Sequence, residues 1–113
     1  MELKEITTRY LTAFESKKLD LLENLFSDKI SLRDWEVSAK GKDKVLSANS
    51  KIFDEFEDIK IKTLSMVSEG NTVVVEINIQ LSKNGKVLSL LVVDVIEYDN
   101  NGSIISIRVY LGN

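Results

Sequence analysis

Three polar side chains lie within apolar patterns, and their types and spacing could support proton chemistry. Asp94 shares an alternating strand face with apolar residues, Asp34 shares one with Ile30 and Leu32, and Tyr10 falls within the apolar stripe of a helix. An unpaired buried carboxylate is unfavourable, so the pattern predicts a pKa above 7 for Asp94, with Asp34 close enough to add like-charge repulsion. A neutral carboxyl, a phenol and a second carboxylate facing one interior could remove a carbon-bound proton and hold the resulting enolate oxygen.

The same three residues also have a purely structural interpretation. Asp94 could lie at a bulge or bind backbone amides, and Asp34 could cap a loop. Tyr10 could belong to the core with its hydroxyl at the rim. The pattern alone leaves both interpretations open.

The composition excludes several other kinds of chemistry. The 113 residues include no histidine and no cysteine, which removes Ser-His-Asp triads, Cys-His pairs, His-ligated metals and disulfides. The five glycines form neither a dinucleotide-binding motif nor a phosphate-binding loop. We therefore expect no cofactor and no metal site.

The charge balance and the apolar runs bear on partners and location. Fifteen basic residues against 18 acidic ones give a formal net charge of −3, without the basic surface that nucleic-acid binding requires. The longest apolar run, Leu90–Val93, is too short to cross a membrane. The first residues lack a positive segment followed by an apolar run, so we expect no secretory signal and a cytoplasmic location.

The elements that would position these residues follow from apolar periodicity, which changes from 3.6 to 2 along the chain. Helices are predicted over 3–14 and 19–26, followed by a strand over 30–36. A third helix opens at 41–43 and carries apolar positions as far as Phe56. Further strands are predicted over 59–67, 72–82, 86–98 and 104–111, and Asn84-Gly85 is a strong hairpin-turn signal. The chain is thus predicted to be one α+β domain over 1–113, with three helices followed by an antiparallel sheet.

Over almost its whole length, the sequence resembles the nuclear transport factor 2-like superfamily, in particular its SnoaL-like and ketosteroid isomerase-like branch. The resemblance runs through Arg9-Tyr10, 19–28, 30–34, Gly41, 93–99, Gly102 and 106–108. It implies a cone-shaped, strongly curved antiparallel sheet closed by the three helices around an internal pocket. In ketosteroid isomerases the catalytic tyrosine matches Tyr10, the aspartate base matches Asp34, and the neutral aspartic acid matches Asp94.

The resemblance also implies which residues line the pocket, and it shows departures. Trp35 follows Asp34 where these isomerases usually have proline, and Phe26 and Asn49 stand where supporting tyrosines can occur. We expect the pocket wall to include the following residues: Phe14, Phe26, Trp35, Asn49, Phe53, Phe56, Val92 and Ile96.

The leading functional hypothesis is a cofactor-free isomerase-like enzyme acting on a small apolar or carbonyl-containing ligand. Asp34 would move a proton next to the carbonyl, while Tyr10 and Asp94 stabilise a dienolate. The alternatives are a non-catalytic ligand-binding or accessory domain, and a SnoaL-type polyketide cyclase that uses Asp34 as its base. The pKa of Asp94 separates the enzyme from the binding domain, since only the enolate mechanism requires a neutral carboxyl.

A homodimer through the sheet is predicted from apolar residues on both of its faces. The face of 86–98 opposite Asp94 carries Val87, Leu91, Val93 and Val95. Further apolar rows run along the neighbouring strands, at Val73, Val75, Ile77, Ile79 and Leu81 and at Ile105, Ile107, Val109 and Leu111. Because the helices can cover only one face, the other face is expected to pack against a second copy.

Overall fold

The computed structural model describes residues 2–113 and begins with two of the three helices. Helix α1 spans Leu3–Glu15, α2 spans Leu19–Leu25 and α3 spans Lys42–Glu55. The side chain of Glu2 accepts a hydrogen bond from the Lys4 amide and caps the start of α1. Met1, the first residue of the predicted domain, lies outside the described residues. Within the described part of the chain, no helix is long and apolar enough to cross a membrane.

Six strands form one sheet in the order β2-β1-β6-β5-β4-β3. Their bounds are Phe26–Arg33 for β1, Ser38–Lys40 for β2, Asp58–Glu69 for β3, Thr72–Lys83 for β4, Lys86–Tyr98 for β5 and Ile104–Leu111 for β6. Neighbouring strands are antiparallel except β1 and β6, which run parallel, so the sheet is mixed. The predicted α+β fold, with three helices packed on a curved sheet, is confirmed.

The region around β1 differs from the sequence prediction. Phe26 does not continue α2 but has an extended backbone and begins β1, which ends at Arg33 instead of Glu36. Pairing with β6, which is distant in sequence, extends the strand toward its start, and a turn at Asp34 ends it. The apolar periodicity of the sequence indicates neither the start of β1 at Phe26 nor its end at Arg33. The short strand β2 was not predicted either.

The two faces of the sheet also differ from the prediction at β4 and β6. The row from Val73 to Leu81 and the row from Ile107 to Leu111 face the helices, where their residues are buried or line a cavity. They therefore add nothing to the outer face. The predicted outer-face residues of β5, Val87, Leu91, Val93 and Val95, do lie there. They are joined by Val67, Val74 and Tyr110.

Candidate active site

A cavity of about 770 Å³ lies between the helices and the inner face of the sheet. Its wall is mostly apolar and is formed largely by α1, α3, residues 34–39 and the strands β4 and β5. Polar groups on the wall include Tyr10, Asp34, Asn49 and Asp94. Trp35, Leu88 and Leu111 also line the cavity and are exposed to solvent, which places them at its opening.

Asp94 lies near the middle of β5, on the face that lines the cavity. Its strand neighbours are Val75 on β4 and Val109 on β6, so apolar side chains flank it on both sides. Only 5% of the residue is exposed, and this burial raises the pKa of the carboxyl from 3.8 to about 7. The predicted direction is confirmed, but the predicted contribution from Asp34 is wrong, because burial alone causes the shift.

Tyr10 lies on α1 and brings a phenol to the same cavity. Its ring packs against Phe14 and Phe26, with ring centroids 6.3 and 6.2 Å away. Burial raises the pKa of Tyr10 well above 10, and the negative charge of Asp94 raises it further. The phenol therefore stays protonated at neutral pH, and it lies close enough to Asp94 for the charge of that carboxylate to affect its titration. The fold brings these two predicted residues together.

Asp34 lies directly after β1 and organises the loop that follows. Its Oδ1 accepts hydrogen bonds from the backbone amides of Glu36 at 2.7 Å and Val37 at 2.6 Å. Its own amide donates to the carbonyl of Val37 at 2.9 Å. The loop-capping role that the sequence left open is thus present. Asp34 also lines the cavity, and because both contacts use Oδ1, Oδ2 is the oxygen that can act as a base.

Five of the eight expected wall residues line the cavity: Phe14, Trp35, Asn49, Phe56 and Val92. The other three, Phe26, Phe53 and Ile96, pack in the core instead and do not line it. Phe53 is held edge-on to Phe14 with centroids 5.1 Å apart. Ile96 is fully enclosed because its strand partners, Val73 and Ile107, are themselves buried.

Two features near the cavity were missed by the sequence analysis. The hydroxyl of Tyr98 pairs with Thr7 on α1, and Thr7 also donates to the carbonyl of Leu3 at 2.9 Å. The alternation of the strand places Tyr98 on an apolar face, and no local pattern indicates its partner. The second feature is the lining row of β4, Ile77 and Ile79, which the alternation of that strand could have identified.

The described residues contain no candidate metal site. No group of three or more Asp or Glu residues that could hold a metal ion occurs in residues 2–113. Besides residues with phenol, amide and carboxyl groups, the cavity wall includes Ser38, Lys44, Ser47 and Lys51.

Comparisons with known proteins agree with this fold. A family model described as "SnoaL-like domain" matches residues 7–107. No curated protein matches the sequence.

Several solved structures share the fold at low sequence identity. An LEH-like epoxide hydrolase of M. tuberculosis superposes with a TM-score of 0.85 at 16% identity, covering 96% of this chain and 80% of the other. A protein from Shewanella denitrificans, described as a SnoaL-like polyketide cyclase, gives 0.86 at 14% identity, covering 97% and 90%. A protein of ketosteroid isomerase-like fold from Catenulispora acidiphila, in complex with trimethylamine, gives 0.85 at 15% identity, covering 94% and 84%. At these identities the similarity establishes the fold alone.

Proposed function

The chain belongs to the SnoaL-like domain family, and on that basis we propose that its cavity catalyses proton transfer next to the carbonyl group of a small, largely apolar ligand. One observation carries the proposal. Tyr10 and Asp94 are buried, interact with each other and line the same apolar cavity. Two neighbouring groups that can be neutral hydrogen-bond donors suit an oxygen that gains negative charge during the reaction.

The proposed mechanism assigns one role to each of the three residues. Oδ2 of Asp34 removes a proton from the carbon next to the carbonyl, and the electron pair of the broken C–H bond moves onto the carbonyl oxygen as an enolate. Tyr10 and protonated Asp94 donate hydrogen bonds to that oxygen. Asp34 then returns the proton to another carbon, which regenerates the carboxylate and shifts the double bond. A positioned base of this kind contributes roughly 10²–10⁴ in rate.

The proposal is tested with a ketone whose isomerisation can be seen. Conversion of 3-cyclohexenone to 2-cyclohexenone produces a conjugated enone, so the ultraviolet absorbance rises. Exchange of the α-protons of a saturated ketone with deuterated water gives a second readout that needs no double bond. If a broad panel of ketones reacts no faster with the protein than with acetate at the same carboxylate concentration, the enzymatic proposal is overturned.

Replacing Tyr10 by phenylalanine removes one donor without removing the base. We expect kcat to fall by on the order of 10²–10³. Since Tyr10 and Asp94 would serve one oxygen, the double variant Tyr10→Phe/Asp94→Asn should lose less than the product of the single losses. Tyr98→Phe is the matched control, because Tyr98 is also buried but binds Thr7 and does not line the cavity. Tyr98→Phe should lower stability and leave kcat unchanged. An equal loss of kcat in Tyr10→Phe and Tyr98→Phe would contradict the role assigned to Tyr10.

The alternative is a non-catalytic domain that binds a small ligand in the same cavity. The observation that favours it is the pair of loop hydrogen bonds of Asp34, which give this carboxylate a structural reason to be present. Ligand binding with no Asp34-dependent proton exchange would establish this alternative. A SnoaL-type cyclase would share the base but act on a different substrate.

We also propose that two copies associate through the outer face of the sheet. Val67 and Val87 are each 62% exposed there, Tyr110 is 48% exposed, and Val93 and Val95 are half-buried. A dimer would cover this apolar surface. The cytoplasmic location stays a prediction from the sequence.

Val93→Glu is expected to convert the dimer to a monomer, because it places a charge in the middle of the paired surface. Sedimentation at micromolar concentration measures the change. Leu21→Glu is the control, since Leu21 is 48% exposed on α2, away from the sheet. A wild-type protein that sediments only as a 12.8 kDa species would rule out the dimer.

A further inference from the structure

The inner face of β5 becomes more exposed from Asp94 toward the turn that joins β4 to β5. Asp94 and Val92 are 5% and 3% exposed. Leu90 is half-buried, and Leu88 is 50% exposed. Strand β6 flanks β5 only as far as Val92, because its last residue, Leu111, pairs there. The cavity therefore opens toward the β4–β5 turn.

A second, smaller cavity of about 440 Å³ lies at this end of the two strands. It shares Phe56, Leu81 and Leu88 with the wall of the larger cavity. Lys83 and Lys86 also line it. These five residues are called the hairpin site below. The hairpin site therefore lies directly beside the opening of the larger cavity.

The two lysines of the hairpin site lie on the same face of the sheet as Asp94. Because residues two apart on a strand share a face, Lys83 continues the row of Leu81, and Lys86 continues the row of Leu88 and Asp94. The register pairs Lys83 directly with Lys86. Like charges that are directly opposite each other on neighbouring strands are unfavourable. An anion bound by both lysines would offset this repulsion.

The acidic side chains near the hairpin site leave the lysines able to bind such an anion. Oε2 of Glu55 lies 3.8 Å from Nζ of Lys83, and both side chains are at least half exposed, so this ion pair is weak. Oε1 of Glu57 accepts a hydrogen bond from the amide of Asn84 at 3.0 Å. Lys86 forms no ion pair with any of residues 2–113.

We propose that the hairpin site binds the anionic end of an elongated ligand whose hydrocarbon chain extends out of the larger cavity. This inference rests on the proposed function in placing the ligand carbonyl at Tyr10 and Asp94. Asp94 and Lys86 are eight residues apart on β5, which corresponds to roughly 26 Å along the strand. The inner-face residues of β5 between them are all apolar: Leu88, Leu90 and Val92. The ligand class is therefore a long-chain keto acid.

Matched probes of two lengths test this inference. They are 5-oxohexanoic acid and 17-oxooctadecanoic acid, each compared with its primary amide, which has nearly the same shape but no charge. We expect the long acid to bind about three- to tenfold more tightly than its amide, as two exposed ion pairs would allow. The short acid should show no such preference, because it cannot reach the lysines. Calorimetric titration measures the affinities, and the preference should shrink in about 0.5 M salt.

Paired variants show whether the preference comes from the hairpin site. Lys83→Gln/Lys86→Gln should abolish the preference for the long acid and leave the affinity for the long amide unchanged. Lys60→Gln/Lys62→Gln is the matched control, because it removes the same charge from the outer face of β3. All four lysines are exposed, so both variants should fold. An equal loss of preference in the two variants would reflect the overall charge of the protein and would overturn the inference.

The outcomes separate this inference from the proposed function. A lysine-dependent preference without exchange of the α-protons of the ketone supports the inference and overturns the catalytic proposal. Proton exchange with no preference for the long acid overturns the inference and leaves the enzyme in place. If, in addition, Leu88→Glu converts a dimer to a monomer, a second copy of the chain occupies the hairpin site instead. Absence of binding by all four probes up to about 1 mM overturns the inference alone, because smaller ketones test exchange separately.

Discussion

Asparagine in place of Asp34 is expected to lower the rate of α-proton removal by roughly 10²–10⁴ or more, while ligand affinity changes little. The substitution removes the basic carboxylate but keeps an oxygen at Oδ1. That oxygen can still accept the hydrogen bonds from the amides of Glu36 and Val37, so the loop keeps its conformation. The measurements are enone formation or deuterium exchange for the rate, and titration with a saturated ketone for affinity.

Two further variants show whether the loss comes from the base or from the loop. Asp34→Ala removes the base and the loop hydrogen bonds together, so it should lower both rate and affinity. Glu36→Gln neutralises another carboxylate that lines the same cavity but is exposed, and it should leave the rate unchanged. Retention of full proton exchange by Asp34→Asn would remove Asp34 from the mechanism.

Asparagine in place of Asp94 is expected to stabilise the protein increasingly as the pH rises from 4 to 7. The pKa of Asp94 is 3.8 in an unfolded chain and about 7 in the folded protein. Between these values the folded state holds a proton that the unfolded state has released, so the free energy of unfolding falls as the pH rises. Each pH unit lowers it by about 1.4 kcal/mol, and the full loss approaches roughly 4 kcal/mol above pH 7.

Urea unfolding of wild-type protein and Asp94→Asn at several pH values measures this effect. The difference between the two free energies of unfolding should grow from pH 4 to 7 and then stay level, because both states of wild type have released the proton above pH 7. Asp54→Asn, an exposed carboxylate on α3, should show no such slope. A difference independent of pH would mean that Asp94 titrates normally, which would favour the binding-domain alternative.

The parts of this fold that depend on local sequence pattern could be predicted from the sequence. Helical periodicity located all three helices, and the strand repeat located β3 to β6. The Asn84-Gly85 turn is confirmed by positive φ angles of 53° and 76°. The isolated carboxyl in the apolar face of β5 is buried with a raised pKa, as that face predicts.

The parts that the sequence did not reveal depend on contacts between distant residues. The bounds of β1 depend on its pairing with β6, and the partner of Thr7 is Tyr98, the last residue of β5. Whether a large apolar side chain lines a cavity or fills the core depends on how elements pack, which is why Phe26 and Phe53 were misplaced.

The parallel pairing of β1 with β6 has a consequence for the order in which the protein folds. Residues 58–98 form hairpins between strands that follow each other closely, so they can pair early and locally. Leu32 of β1 pairs with Ile107, and closing so long a loop has a higher entropic cost than closing a hairpin turn. Since β6 lies between β1 and β5, β1 and β2 can join the sheet only after β6 has docked. During synthesis on the ribosome, the edge of β1 that pairs with β6 therefore stays unpaired until β6 has been synthesised.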